Sequence, residues 1–284
     1  MNYTLTAIAQ IHELIERGAI FYISHSGGKD SQAMFILVTA LVPADQIVVV
    51  HSDLGAVEHH GGQDHIRATI GDFELHVVRA GKDFFDMVER RHETRPDVCP
   101  FPSSATRQCT SDLKRDPIYK FIRHDMKARD SLLAVNVMGL RAGESPARAK
   151  KNPLAHNARL SKAGREIYDW LPIHDLNCVL DLRFDPETME DDIFNVISAA
   201  DQKAFWMYAT GNQRMSCVFC IMASANDIQN GARHRPELFE RLVNLEKSTG
   251  WTMFNGETLE ERAGMTVAEA YELNRTMIPV NEVA

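Results

Sequence analysis

Short apolar runs separated by stretches of helical rhythm leave this chain very few folds to choose from. AIFYIS (19–24) and QIVVVHSD (46–53) are dense in β-branched and aromatic residues with little polar alternation, and FELHVVRA (73–80) is a third run of strand type. Runs like the first two suit strands of a parallel sheet buried on both faces. Between them, DSQAMFILVTALV (30–42) and residues 57–72 read as helices, and Leu5, Ile8, Ile11, Leu14 and Ile15 give a helix ahead of the first strand that ends at Gly18. Strand, helix, strand, helix, strand calls for a parallel sheet with right-handed crossovers. SLLAVNVMGL (131–140) adds a further buried strand and KDFFDMVERRHE (82–93) a helix, while TSDLKRDPIYKFIRHDM reads as a helix that Pro117 starts or kinks. TRPDVCPFPSSATRQC (94–109) and the basic RAGESPARAKKNPLAHNARLSKAGR (141–165) read as loops, and the chain beyond about 186 is mainly helical by period.

At 284 residues and 44% hydrophobic, the expected organisation is one large domain with an appendage. A net charge of −8 excludes polyanion binding through overall charge, though not through a local basic patch. No stretch reaches the roughly 18 apolar residues of a membrane span, and the N-terminus lacks the layout of a secretion signal, so a cytoplasmic protein without membrane contact is expected. Thiols stay reduced there. The five cysteines, Cys99, Cys109, Cys178, Cys217 and Cys220, therefore read as ligands, nucleophiles or core residues before disulfides.

The first strand runs into SHSGGKDS (24–31), at the sheet edge where helix N-termini meet bound anions. Gly27 and Gly28 let backbone approach oxygen atoms, Ser26 and Ser31 can donate hydroxyl hydrogens, and Lys29 adds charge. A phosphate-binding Walker loop is excluded because Asp30 follows Lys29 and no glycine lies five residues before Gly28; the dinucleotide G-x-G-x-x-G is absent too.

SGGKDS resembles the S-G-G-x-D-S signature of the PP-loop ATP pyrophosphatases, which implies a HUP-type, Rossmann-like α/β fold: a parallel sheet flanked by helices, with a mainly helical C-terminal region. VVVHSDLG (48–55), RQCTSDLKRDPI (107–118), MGLRAGES with ARA (138–149) and SCVFC resemble the branch of phosphoadenosine phosphosulfate (PAPS) reductases and the related sulfur-transfer proteins of phage and DNA-phosphorothioation systems. The similarity spans residues 19 to about 250. It implies a nucleotide-binding domain over 1–185 and a helical region carrying the C-x-x-C over 186–284. It implies Ser24, Ser26, Gly27, Gly28, Lys29, Asp30, Ser31, Asp53 and Gly139 around ATP or an adenylyl sulfate with Mg²⁺, and Cys109, Arg141 and Arg148 as catalytic residues. Asp53 reads equally as a ribose ligand, a Mg²⁺ ligand or a turn cap, and Lys150 and Lys151 as solvated side chains.

Cys217 and Cys220 are spaced to reach one metal, but a structural pair or a redox dithiol has the same spacing. The resemblance implies a [4Fe-4S] centre in preference to zinc, on Cys109, Cys217 and Cys220 with Cys99 as fourth ligand, or with one iron open. Cys178 reads as packing, and His59 and His60, which could be metal ligands, read first as exposed helix-end histidines. The cluster-free reductases carry a C-terminal E-C-G-L-H stretch whose cysteine attacks the sulfonyl sulfur; no cysteine follows Cys220 here, which disfavours that route. The expected function is an ATP- or adenylyl-sulfate-dependent enzyme of sulfur transfer or reduction. Its expected partners are a sulfur donor or reductant protein, DNA or tRNA reached through a partner complex, and a second copy of the chain. Sulfonucleotide reduction and a non-catalytic nucleotide-binding subunit are the alternatives.

Overall fold

The computed structural model describes residues 2–174 and 189–277. Helix α1 (Asn2–Glu16) precedes β1 (Ile20–Ser24), α2 (Lys29–Thr39), β2 (Ile47–Asp53), α3 (Gly62–Ile70), β3 (Leu75–Arg79) and α4 (Phe84–Thr94). A π-helical turn over Thr110–Arg115 runs into α5 (Asp116–Ala128). β4 (Leu133–Met138), α6 (Pro146–Ala149), β5 (Leu154–His156) and β6 (Glu166–Trp170) follow, then α7 (Met189–Ala199), α8 (Ala225–His234), α9 (Pro236–Thr249), α10 (Leu259–Ala263) and α11 (Val267–Thr276). The architecture is α/β, as expected.

The strands form one six-stranded sheet in the order β3-β2-β1-β4-β6-β5. β1 pairs in parallel with β2 and β4, and β4 with β6; only β5 runs antiparallel, against β6. Alternation along each strand feeds two cores. Phe21, Ile23, Val49, Val135 and Val137 face one side, packed with Ile11 and Leu14 of α1, Met34 and Leu37 of α2, Ile66 of α3 and Ile193 and Ile197 of α7. Tyr22, Val48, Val50 and Ala134 face the other, with Tyr119, Ile122 and Met126 of α5. Each of the larger aliphatic and phenyl side chains contributes about 1.5–3 kcal/mol by leaving water, so a strand apolar on both faces is held from both sides.

The chain forms two compact units. One comprises Met1–Ser52, Gly61–Val78 and Pro117–Ala204; the other comprises Asp53–His60, Arg79–Asp116 and Phe205–Ala284. The second has its own core, in which Phe84, Phe85, Val218, Phe219, Phe239 and Leu242 are buried. Its first and last segments are tied by specific bonds: Val218 N–H donates to Val57 O (2.9 Å), and the buried Arg235 guanidinium donates to the carbonyls of Ala56 (3.1 Å) and Glu58. The expected boundary at residue 185 lies outside the described residues. Helix α7, beyond it, packs into the first unit's core.

Local departures from the sequence reading have local causes. The helix expected over 57–72 begins only at Gly62, because Gly55 and Gly61 take positive φ (67° and 75°) and break the chain into a short 3₁₀ turn first. Pro117 falls where the π-helical turn passes into α5, inside one continuous helical stretch, and its missing N–H interrupts the backbone bonding there. The basic segment 141–165 is more than a loop: it contains α6 and the edge strand β5.

Candidate functional site

Strand β1 ends at the half-buried Ser24 and α2 starts at Lys29, so four residues, His25 to Gly28, make the turn. Gly27 sits at φ 79°, a conformation that side chains resist. Gly28 is the N-cap, and helical bonding begins with Gln32 N–H to Gly28 O (3.0 Å). The amides of residues 29–31 are thus those a helix directs to an outside acceptor. Ser31 braces the turn: its Oγ donates to Gly28 O (2.9 Å), accepts from Ser26 N–H (3.2 Å) and lies 3.1 Å from Ser26 Oγ. Lys29 is buried, its Nζ 5.7 Å from the centre of the Phe194 ring on α7.

A second loop closes on this one. β4 lies beside β1 with Ser24 opposite Met138, and here the strand order reverses, the crevice where doubly wound sheets take ligands. Gly139 permits the approach: a Cβ there would stand 3.1 Å from Asp30 O and 3.3 Å from Ser31 N. Arg141 Nε forms an ion pair with Asp30 Oδ1 at 2.6 Å. The segment then folds around Glu144, whose Oε2 accepts from Arg141 N–H (2.9 Å) and forms an ion pair with Arg148. Burial by itself would raise the Glu144 pKa, but those partners outweigh it and hold the carboxyl below the ordinary value. Ser145 caps α6 by accepting from Arg148 N–H (3.2 Å), while His174 Nε2 lies 2.8 Å from Arg148 O. Within one unit, Arg141 thus meets the turn directly and Arg148 is linked to it through Glu144. Glu144 and His174, which orient them, were not singled out from sequence; Glu144 carried a signal, as an acid three and four residues from two arginines.

The remaining candidates lie in the second unit. Asp53 closes a turn: its Oδ1 accepts from Gly55 N–H (2.7 Å), and Oδ2 is 3.7 Å from Arg79 Nη1. Cys109, Cys217 and Cys220 line a cavity of about 60 Å³, with Lys114 beside them and Leu54, Phe84 and Leu242 in its apolar wall. That exceeds the roughly 10–15 Å³ one water needs. The π-helical turn, in which Asp116 N–H bonds Ser111 O five residues back, brings Cys109 and Lys114 to this same wall. The C-x-x-C sits in a turn before α8 and not on a helix. Burial raises the Cys109 pKa and pushes that of Cys217 up to about 12, with Lys114 opposing both; burial would lower the Lys114 pKa, but the thiols and Glu58 raise it overall.

The fourth expected ligand, Cys99, is not in the cavity wall; its Sγ lies 3.8 Å from Thr252 O. Among the described residues no group of three or more His, Cys, Asp or Glu is arranged to hold a metal ion, so this donor set does not fit a four-cysteine cluster or a Mg²⁺ site. His60 is exposed, as expected, but His59 is buried against Phe205, which lowers its pKa to about 4. Cys178 lies outside the described residues.

The phosphoadenosine phosphosulfate reductase domain model matches residues 20–223. The chain belongs to the PAPS reductase domain family. Two uncharacterized proteins of Methanocaldococcus jannaschii are similar to it: one is 22% identical over 260 residues, covering 87% of this chain and 53% of the relative, the other 24% identical over 250 residues, covering 86% and 45%. The chain spans about half the length of these curated relatives. The PAPS reductase domain is a PP-loop nucleotide-binding family whose members are generally enzymes that act on nucleotides. Every expected site residue, Ser24 through Cys220, falls within the matched span. No helix among the described residues is long and apolar enough to cross a membrane.

Proposed function

We propose that this PAPS reductase domain protein seats the pyrophosphate of ATP, or the phosphosulfate of an adenylyl sulfate, on the turn from Ser26 to Ser31, and uses it in sulfur transfer or reduction. The observation that carries the reading is the closure of the 139–148 loop on that turn, through the Gly139 approach and the Arg141–Asp30 ion pair. An incoming polyanion meets helix amides, two serine hydroxyls and the two arginines, and competes with Asp30 for Arg141. Arg148, steadied by Glu144, supplies charge as it develops on the leaving oxygens.

With ATP, an acceptor oxygen attacks the α-phosphorus and pyrophosphate departs; a sulfur nucleophile then displaces AMP, exchanging a C–O for a C–S bond. The sulfur arrives from a donor protein. Cys109, Cys217 and Cys220 are the soft nucleophiles the chain can contribute, and Cys109, on the segment that also carries Lys114, is the residue assigned to carry sulfur. A [4Fe-4S] centre is the finer version of the reading, and it would require the three thiols to come together in a way their present placement does not provide; no step above passes through it or through Mg²⁺.

Incubation with ATP and acceptor-containing extract, with pyrophosphate release as readout, tests the ATP route. Release that Arg141→Ala abolishes, and that persists in Cys109→Ser while sulfur incorporation into the acceptor is lost, supports it. Absence of release together with tight binding of adenosine 5′-phosphosulfate turns the assignment to sulfonucleotide reduction, and absence of binding to either nucleotide overturns the reading. Iron and acid-labile sulfide in anaerobically purified protein, about four per chain, decide the cluster.

A further inference from the structure

His25 opens the nucleotide turn and is 2% exposed. Its Nδ1 accepts the Gly27 N–H at 3.1 Å, and its carbonyl oxygen lies 3.0 Å from His51 Nδ1. The acceptor role of Nδ1 fixes the tautomer, placing the ring proton on Nε2. That Nε2 is buried and has no hydrogen-bond partner among the described residues. The ring edge rests on Phe35 of α2, at 5.9 Å between centroids. An apolar side chain would fill this place without stranding a donor, so the imidazole is a poor choice for packing alone. What it provides is the acceptor at the δ1 position.

The acceptor matters because of where the Gly27 N–H would otherwise go. Gly27 is buried and in the left-handed region, and a buried amide must find an acceptor. Turned inward to the imidazole, it is withdrawn from the set of amides facing a bound anion, and the Ser26–Gly27 peptide plane, one residue ahead of Gly28, is fixed. That plane sets the approach of the Gly28 cap to α2.

We infer that His25 is a positioning residue for the anion seat, holding the turn in its binding shape through the Nδ1 acceptor without touching the ligand. The inference rests on the nucleotide reading. It also fits a ring that stays uncharged: burial lowers the His25 pKa to about 3, and the titratable groups facing it, His51 on β2 and His65 on α3, lower it further. An imidazolium would lose the acceptor, so His25 serves the turn in its neutral form.

Near-isosteric substitutions test this. His25→Asn keeps an acceptor oxygen at the δ1 position, His25→Leu has a methyl there, and His25→Gln moves the acceptor one atom outward. Affinity for ATP and for adenosine 5′-phosphosulfate is measured by calorimetry, the melting temperature by circular dichroism, and Gly27 amide exchange by NMR on ligand-free protein. The expected order is His25→Asn within about threefold of the parent and His25→Leu and His25→Gln about tenfold weaker. Gly27 exchange should be slow in the first and fast in the other two, and affinity should follow the acceptor and not the melting temperature. Equal losses in His25→Asn and His25→Leu, or affinities that simply track melting temperature, overturn the positioning role. If the parent binds neither nucleotide, the nucleotide reading fails; the Gly27 exchange rates in ligand-free variants still decide whether His25 shapes the turn.

Discussion

Gly139→Ala puts a single methyl between the two loops of the nucleotide site. The new Cβ would lie 3.1 Å from Asp30 O, 3.2 Å from Asp30 C and 3.3 Å from Ser31 N. Ordinary contact begins at 3.4 Å, so the shortfall is about 0.3 Å, and all three neighbours are backbone atoms at the start of α2, with no rotamer to yield. Either β4 or α2 must shift. Overpacking of this kind costs about 2 kcal/mol, and for a chain of this size the melting temperature falls by about 4–8 °C. The same displacement separates Arg141 from Asp30 and misaligns the anion seat, so nucleotide affinity falls about tenfold. Gly143→Ala, four residues on, is the control: nothing lies within 4 Å of its Cβ, and both quantities should stay within about 0.5 kcal/mol of the parent. Calorimetric titration and thermal melts of the two variants decide the matter. A Gly139→Ala protein indistinguishable from Gly143→Ala in both would refute the close apposition of the loops.

Three further outcomes are expected. Glu144→Gln should cost about 1–3 kcal/mol by leaving Arg148 without its charged partner. Because the folded pKa of Glu144 is depressed, its contribution is present above the ordinary value of 4.5 and lost as pH falls through the folded value, so acid melts should lose that pH dependence in the variant. Arg141→Ala should weaken nucleotide binding about tenfold and flatten its dependence on salt, read by titration at two ionic strengths. Glu246→Ala should strand the Met253 and Leu259 amides, which donate to its two oxygens at 2.7 and 2.9 Å, and lower stability by about 3 kcal/mol in thermal melts with nucleotide affinity unchanged.

Strands β1, β2 and β4 were legible because burial on both faces demands uninterrupted apolar residues, a pattern few other structures impose. β5 and β6 were not: Leu-Ala-His and Glu-Ile-Tyr-Asp-Trp are short and half polar, and their pairing is set by tertiary context at a sheet edge. The glycine turn could be read because its backbone demands particular residues. His25 could not, since a histidine beside a strand has many uses and only the direction of Nδ1 selects one. His59 reads as exposed from its expected place at a helix end, whereas Phe205, well over a hundred residues away, packs against it in the buried interior. The convergence of Cys109, Cys217 and Cys220 depends on packing among segments far apart in the chain, which no local pattern encodes.

The π-helical turn over Thr110–Arg115 makes chain length itself a functional variable. Such a turn holds one residue more than an α-helix needs to close, so a single deletion within it would let the segment relax to α geometry. Each residue advances an α-helix by about 100° of rotation. Residues five apart share a side of a π turn, as residues four apart do in an α-helix, so a deletion between Cys109 and Lys114 would leave the thiol and the ammonium together, whereas an insertion there would turn one about 100° away from the other. The count of residues at this spot therefore matters as well as their identity: an in-frame insertion after Ser111 should disturb the thiol cavity as a substitution of Cys109 does, while loss of Ser111 should be the milder change.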